Sequence, residues 1–276
     1  MVAASDRSEA RLERGREMSD GLQKQFILVS GGGSGIGRGI ALRLAAEGAS
    51  VTILGRRQQT LAETAELSAA AGHPLEYRVL DITDAAAVDT ALAELAEAHG
   101  GRIDAVVNNA GLGGPNACST EGEDRWSELL AVNLDGSFFL TRAALRAMPE
   151  GGRVVNMSSV LGKFGVPGYT GYCTAKHGII GFTKALALEL APRNITVNAI
   201  CPGWVETEMA RAGMERLAED VGVSYEEARA TALAQVPLGR ILQPDEIAGL
   251  VLWLLSSESS GMTGQAINFS GGSAMW

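Results

Sequence analysis

The amino-acid sequence predicts a doubly wound, parallel α/β sheet, and three observations point to it. Short apolar, strand-like runs alternate with amphipathic helical stretches almost from end to end. Several runs are rich in Val and Ile without polar alternation, as strands buried on both faces require. The chain has 276 residues, 46% of them apolar, with 35 glycines. That is enough for one well-filled core with many tight turns.

The first strand is expected at residues 26–30. It runs into Ser30-Gly31-Gly32-Gly33-Ser34-Gly35-Ile36-Gly37, which opens a helix reaching residue 46. Glycines at such a turn let the backbone approach a pyrophosphate, which sits against the unpaired N–H groups of the helix N-terminus. Gly31, Gly33, Ser34, Gly35, Ile36 and Gly37 are therefore candidate dinucleotide contacts.

The second strand, 50–54, ends in Gly55-Arg56-Arg57 before a helix at 61–70. NAD enzymes usually place an acid about 20 residues beyond the loop, to bind the ribose 2′-hydroxyl. Here that position is Gly55, and Arg56 and Arg57 follow it. Guanidinium groups suit a 2′-phosphate, so NADP(H) is favoured over NAD(H). The third strand, 76–80, leads to Asp81 and Ile82. Asp81 can accept from the adenine amino group or cap the helix expected at 86–98.

After the fourth strand, 105–108, the run Asn108-Asn109-Ala110-Gly111 can brace the cofactor or form a plain turn. Asn108, Ala110 and Gly111 are the candidate contacts. A long helix is expected at 126–147, with Asn133 an awkward interior residue. It is either solvent-exposed or holds a proton-relaying water. Beyond a fifth strand at 153–157 come Ser158 and Ser159, then a helix at 172–190 carrying Tyr172 and Lys176.

Residues four apart share a helix face, so Lys176 can serve the same site as Tyr172. Ketone reduction needs a proton donor at the oxygen; for the reverse, alcohol-oxidising direction a neighbouring ammonium and the positive oxidised nicotinamide are expected to lower the phenol's pKa from its usual value near 10. A serine hydroxyl can share the polarising role. Tyr169 has no basic partner four residues on, only Cys173.

The sixth strand, 196–201, ends at Pro202-Gly203-Trp204-Val205-Glu206-Thr207. A turn there can fold Pro202, Gly203, Val205 and the Thr207 hydroxyl around a nicotinamide carboxamide. Residues 206–236 then break the rhythm: helical, acidic and strandless. Following a strand's carboxyl end, where ligands bind in open sheets, they read as a substrate lid. Met209, Met214 and Leu217 are its candidate pocket lining, and Arg211, Arg216, Arg229 and Arg240 a candidate basic patch for an acidic carrier. A helix around 247–255 and a last strand at 266–269 complete the chain.

A net charge of −9 argues against a nucleic-acid partner. No apolar run approaches the roughly 20 residues of a membrane span. Cys118, Cys173 and Cys201 are scattered, as are His73, His99 and His177, so neither disulfides nor a metal site are expected. Free cysteines point to a reducing, cytoplasmic setting. Residues 1–23 are charged and lack a signal peptide's apolar core. They are expected to form a disordered extension, with Met18 an alternative start, before a single domain at 24–276.

Taken together, Gly31/Gly35/Gly37, Asn108 to Gly111, Asn133, Ser159, Tyr172, Lys176 and Pro202-Gly203 with Thr207 resemble the short-chain dehydrogenase/reductase family over residues 24–276. The spacing to Tyr172 selects Ser159 over Ser158. The resemblance implies a Rossmann-type sheet of about seven strands, a Ser-Tyr-Lys site assisted by Asn133, and a homotetramer or dimer. Within the family, the segments around Lys176, Cys201 and 236–240 look like bacterial 3-oxoacyl and aromatic-polyketide ketoreductases. The leading expectation is an NADPH-dependent reductase of a small-molecule ketone, free or linked to a carrier or CoA. The alternative is an NAD-dependent dehydrogenase of a 3-hydroxybutyrate-like acid or cyclic alcohol. A catalytically silent dinucleotide sensor is disfavoured, since both Tyr172 and Lys176 stand.

Overall fold

The computed structural model describes residues 22–276 except 117 and 120–122. Seven strands form one parallel sheet: β1 (Phe26–Ser30), β2 (Ser50–Gly55), β3 (Glu76–Val79), β4 (Ala105–Asn108), β5 (Arg153–Met157), β6 (Thr196–Pro202) and β7 (Ala266–Phe269). Their order is β3-β2-β1-β4-β5-β6-β7, so the winding reverses between β1 and β4. In open α/β sheets the ligand crevice lies at such a switch point, outside the strands' carboxyl ends.

Side chains alternate across each strand and feed two cores. Ile27, Val29, Val51, Ile53, Val107 and Val155 face one side with Ile40 and Leu44 of α1 (Gly35–Ala46). There they meet Ile247 and Val251 of the helix Pro244–Leu255. Phe26, Leu28, Leu54, Val106, Val154 and Val197 face the other side, against three later helices of the chain. These contribute Val88 and Leu92 from the helix Ala85–Ala98, Leu140 from Gly136–Ala144 and Leu186 from Thr170–Leu190. Fully burying each such Val, Leu or Ile stabilises the fold by about 1.5–3 kcal/mol. In chain order the helices are α1, α2 (Gln58–Ala70), α3 (Ala85–Ala98), α4 (Trp126–Leu130), α5 (Gly136–Ala144), α6 (Thr170–Leu190), α7 (Glu208–Val221), α8 (Tyr225–Ala234) and α9 (Pro244–Leu255).

Three expectations need adjustment. The single helix over 126–147 is broken into α4 and α5 by a wide π turn, Ala131–Asp135, centred on Asn133. β3, expected over 76–80, ends at Val79 and is an exposed edge strand carrying the polar Glu76 and Arg78. Leu22 is fully buried in the first core, so the folded domain starts at least two residues before residue 24. Residues 1–21, including Met18, lie outside the described residues. Among the described residues, no helix is long and apolar enough to cross a membrane.

Candidate active site

The crevice is built first by the loop after β1. Gly35 has φ +51, a left-handed backbone that favours glycine. A Cβ on Gly37 would collide with Gly31 O and the Asn109 amide. Ser34 stands at the N-cap of α1 but makes no side-chain cap bond, leaving the first-turn N–H groups to another acceptor. Ile36 packs on the core below. Gly33 lies against Thr60. These features fit a pyrophosphate held at a helix N-terminus.

The loop is tied across the switch point. Ser30 Oγ accepts from Asn109 N and Ala110 N, both at 3.0 Å. Asn109 Nδ2 donates to Ser30 O at 3.0 Å and Gly31 O at 3.3 Å. Asn109, which nothing in the run Asn108 to Gly111 singles out, is thus the amide that ties the glycine loop to β4. Asn108 turns its amide into the core, donating to Thr141 Oγ1 and Asn156 Oδ1 at 2.7 Å each. Any cofactor contact from Asn108 is confined to its main chain.

At the end of β2, Arg57 Nη2 donates to Ser34 Oγ at 3.4 Å, bringing its guanidinium to the lip of the loop. Arg56 Nη1 lies 3.9 Å from Asp81 Oδ2. Burial would raise the Asp81 carboxyl, but two hydrogen bonds from Thr83 and the charge of Arg56 outweigh it and hold it below the usual range. The helix-capping role considered for Asp81 falls to Asp84 instead, which accepts from Ala86 N and Ala87 N at the start of α3. Asp81 makes a local turn with Thr83 and keeps its second oxygen toward Arg56. The Ile82 side chain is buried in the core, leaving its main chain for the crevice.

Next to the crevice stands the hydroxyl and amine cluster. Lys176 is 4% exposed, and its Nζ donates to Met157 O at 3.0 Å. It also lies 5.6 Å from the Tyr172 ring centroid, one helical turn away on α6. Ser159 hydrogen-bonds Tyr172, while its Oγ accepts from Leu161 N at 3.1 Å. Ser158 is occupied elsewhere: its Oγ donates to Lys176 O at 2.9 Å, clasping α6 to β5. Of the two serines, Ser159 is the one that reaches Tyr172. The Cys201 thiol backs this cluster from β6, with burial pushing it up against the opposing influence of Lys163, Ser158, Ser159 and Lys176.

Tyr172 retains some solvent exposure, yet dense surroundings push its phenol up to about 12, against the hydrogen bond from Ser159. Lys176 is pushed down to about 8 by burial, partly opposed by Cys201. Without the positive charge of an oxidised nicotinamide, burial outweighs the neighbouring groups at the phenol. Burial governs both groups, and the protein's own surroundings keep Tyr172 protonated, as a proton donor must be.

Asn133 is buried, not solvent-exposed. Its Nδ2 donates to Leu112 O and Leu129 O at 2.9 Å, and its Oδ1 accepts from Leu112 N at 3.1 Å. A Cβ on Gly111 would stand 2.7 Å from Asn133 Oδ1 and 3.4 Å from Lys176 Nζ, so the three meet at one point. The side chain is spent fixing the loop after β4, which leaves the main chain of the π turn for any relayed water. π turns of this kind are frequent at functional sites.

The far wall follows β6. Gly203 crosses closely over Ser270, and Val205 is buried and paired with Leu242. Thr207 caps α7, accepting from Ala210 N at 3.1 Å, and its methyl faces Gly35. Pro202 to Thr207 therefore closes the crevice opposite the glycine loop. The lid is a helical hairpin: Gly222, at φ +73, stops α7, and a Ser224–Glu227 capping box starts α8. Met214 packs with Ala232 and Ile241, which removes it from the pocket lining. Met209 instead reaches Gly113. Two of the four arginines of the expected basic patch are held in ion pairs, Arg211 with Glu215 at 2.9 Å and Arg240 with Glu246 at 2.7 Å.

A parallel sheet with this switch point, glycine loop and Ser-Tyr-Lys cluster defines a short-chain dehydrogenase/reductase, and the chain belongs to that family of oxidoreductases. A family profile described as enoyl-(acyl carrier protein) reductase matches residues 31–274. The chain is 40% identical to a putative ketoacyl reductase of Streptomyces coelicolor, over 90% of its own length and 96% of the relative's. It is 38% identical to the 3-oxoacyl-(acyl-carrier-protein) reductase of Thermotoga maritima, covering 91% and 98% respectively. Among solved structures it is similar to a variant of the actinorhodin polyketide ketoreductase crystallised with NADPH. There the TM-score is 0.87 and the identity 39%, covering 91% of this chain and 98% of that one.

Proposed function

We propose that this protein reduces a ketone, of the 3-oxoacyl or polyketide-like kind, with NADPH. The observation that carries the reading is the convergence of Ser159, Tyr172 and Lys176 beside a glycine loop whose lip carries Arg57. A bound nicotinamide supplies the hydride. Ser159 and Tyr172 present two hydroxyls to one carbonyl oxygen, and the protonated phenol of Tyr172 gives it the proton. Lys176 holds charge behind the phenol, and Asn133 positions the loop that faces it. Arg56 and Arg57 are suited to a 2′-phosphate, and no acid stands at Gly55. The relatives named for ketoacyl reduction, and the neighbour bound to NADPH, support the same reading.

The test follows nicotinamide absorbance with NADPH and NADH in parallel, offering an acetoacetyl thioester and a bicyclic ketone. Turnover favouring NADPH by at least tenfold is expected. A preference for NADH with a hydroxy acid as product would instead establish the dehydrogenase alternative. Phe138 on α5 and Leu188 on α6 are 42% and 79% exposed. Such apolar exposure supports burial against further copies, and we read the protein as a homotetramer working in the cytoplasm.

Acidity follows from the same cluster. Lys176 is cationic below about 8 and neutral above it, whereas Tyr172 keeps its proton to about 12. For ketone reduction, kcat/KM is therefore expected to fall as pH rises through about 8, from loss of the Lys176 charge. A profile from pH 6 to 10 checks this, and a flat one contradicts it.

A further inference from the structure

The lid carries a cation with no role in the chemistry above. Met209 and Arg216 stand seven residues apart on α7, two helical turns, and so share a face. That face lies on the loop after β4. A Cβ on Gly113 would meet Met209 at 3.1 Å, and a Cβ on Gly114 would meet Arg216 Nη1 at 3.2 Å. From the other side, Arg125 Nη1 reaches the same point at 2.5 Å and donates to Gly113 O at 3.2 Å. Gly114, at φ +123, is the bare backbone over which the two guanidiniums close.

Their charges are unequally answered. Arg125 pairs with Glu128 at 2.8 Å. Among the described residues Arg216 has no ion pair or hydrogen-bond partner, although Glu219 and Asp220 follow it at helical spacing. Its neighbour Arg211, by contrast, is held by Glu215. Among the described residues, two converging guanidiniums answered by one carboxylate leave a net positive charge aimed at one point. Like charges this close are unfavourable until an anion joins them. The point also lies near the chemistry: Gly114 is three residues from Gly111, which abuts Lys176, a reach of at most about 11 Å.

We infer that Arg216, with Arg125, forms a clamp at the mouth of the site for an anionic group the substrate carries away from its reacting carbonyl. The clamp rests on the ketone-reductase reading and names what that substrate brings: a phosphate, as in the arm of a CoA or carrier thioester, or a carboxylate of its own. Arginine forks suit either group.

The test compares Arg216→Ala with the unaltered protein on three substrates at saturating NADPH. These are acetoacetyl-CoA, free acetoacetate and the neutral N-acetylcysteamine thioester. A rise in KM of about tenfold for the anionic substrate, with kcat unchanged and the neutral thioester unaffected, is expected. Arg216→Lys should recover part of the loss, since it keeps the charge without the fork. A response confined to acetoacetyl-CoA assigns the phosphate, and one confined to acetoacetate the carboxylate. Equal changes on all three substrates, or none, overturn the clamp. In the unaltered protein, added NaCl must weaken the same anionic substrate and spare the neutral one, a readout independent of how the variants fold. Absence of any ketone turnover would count against the reductase reading instead. The clamp would then be judged by calorimetry with CoA and with acetoacetate, at least one of which must bind about tenfold more weakly to Arg216→Ala.

Discussion

Tyr172→Phe is expected to lower kcat for ketone reduction by about a thousandfold while leaving NADPH binding within a few-fold of its original strength. General acid catalysis contributes about 10²–10⁴, and the phenol is the group whose surroundings hold its proton through neutral pH. A thousandfold loss corresponds to about 4 kcal/mol of transition-state stabilisation. Only the hydroxyl and its bond with Ser159 are removed, so folding stability should change by about 1 kcal/mol or less. Steady-state rates, with cofactor binding followed by fluorescence, check both halves. Retention of more than a tenth of the activity would move the proton donor to another residue.

The second large effect concerns cofactor choice. Gly55→Asp is expected to reverse the preference for NADPH over NADH, swinging the ratio of the two kcat/KM values by about a hundredfold. The substitution fits: a Cβ there finds only the end of Leu61, at 3.4 Å, and the backbone is not left-handed. The new carboxylate would accept from a ribose 2′-hydroxyl and repel a 2′-phosphate, while also competing for Arg56 and Arg57. About 2.7 kcal/mol is the size of such a swing, within the range for charged hydrogen bonds gained and lost. Parallel titrations of the two cofactors measure it. An unchanged ratio would mean that the arginines do not read the 2′ position.

The main features of this arrangement can be read in the residues because they depend on local constraints. Val- and Ile-rich runs mark the buried strands, and all seven strands stand at strand-like runs of the sequence. Tyr172 and Lys176 share a helix face by spacing alone, and the glycine loop declares its turn. What escaped the sequence depends on contacts between distant segments. Nothing near Asn133 announces a π turn, because its cause is a set of hydrogen bonds to Leu112 and Leu129. Asn108 and Asn109 differ in role only because β4 places one amide in the core and the other toward Ser30. The upward shift of Tyr172 and the downward shift of Lys176 have the same origin. Spacing reveals a neighbouring charge, but burial is a property of the whole fold. In the sequence Arg216 is one of four lid arginines; the ion pairs of Arg211 and Arg240 remove two of them, and the approach to Gly114 beside Arg125 sets Arg216 apart.

The central claim is that hydride reaches a carbonyl carbon while Tyr172 protonates its oxygen. Reduction of an acetoacetyl thioester with NADPH deuterated at the transferring position, followed by mass and NMR analysis of the product, tests it most directly. Deuterium at the carbinol carbon of a 3-hydroxyacyl product, formed by the unaltered protein and lost with Tyr172→Phe, is the predicted result. If only an enoyl thioester were reduced, with deuterium on a carbon of a saturated acyl chain, the account of this site would be contradicted.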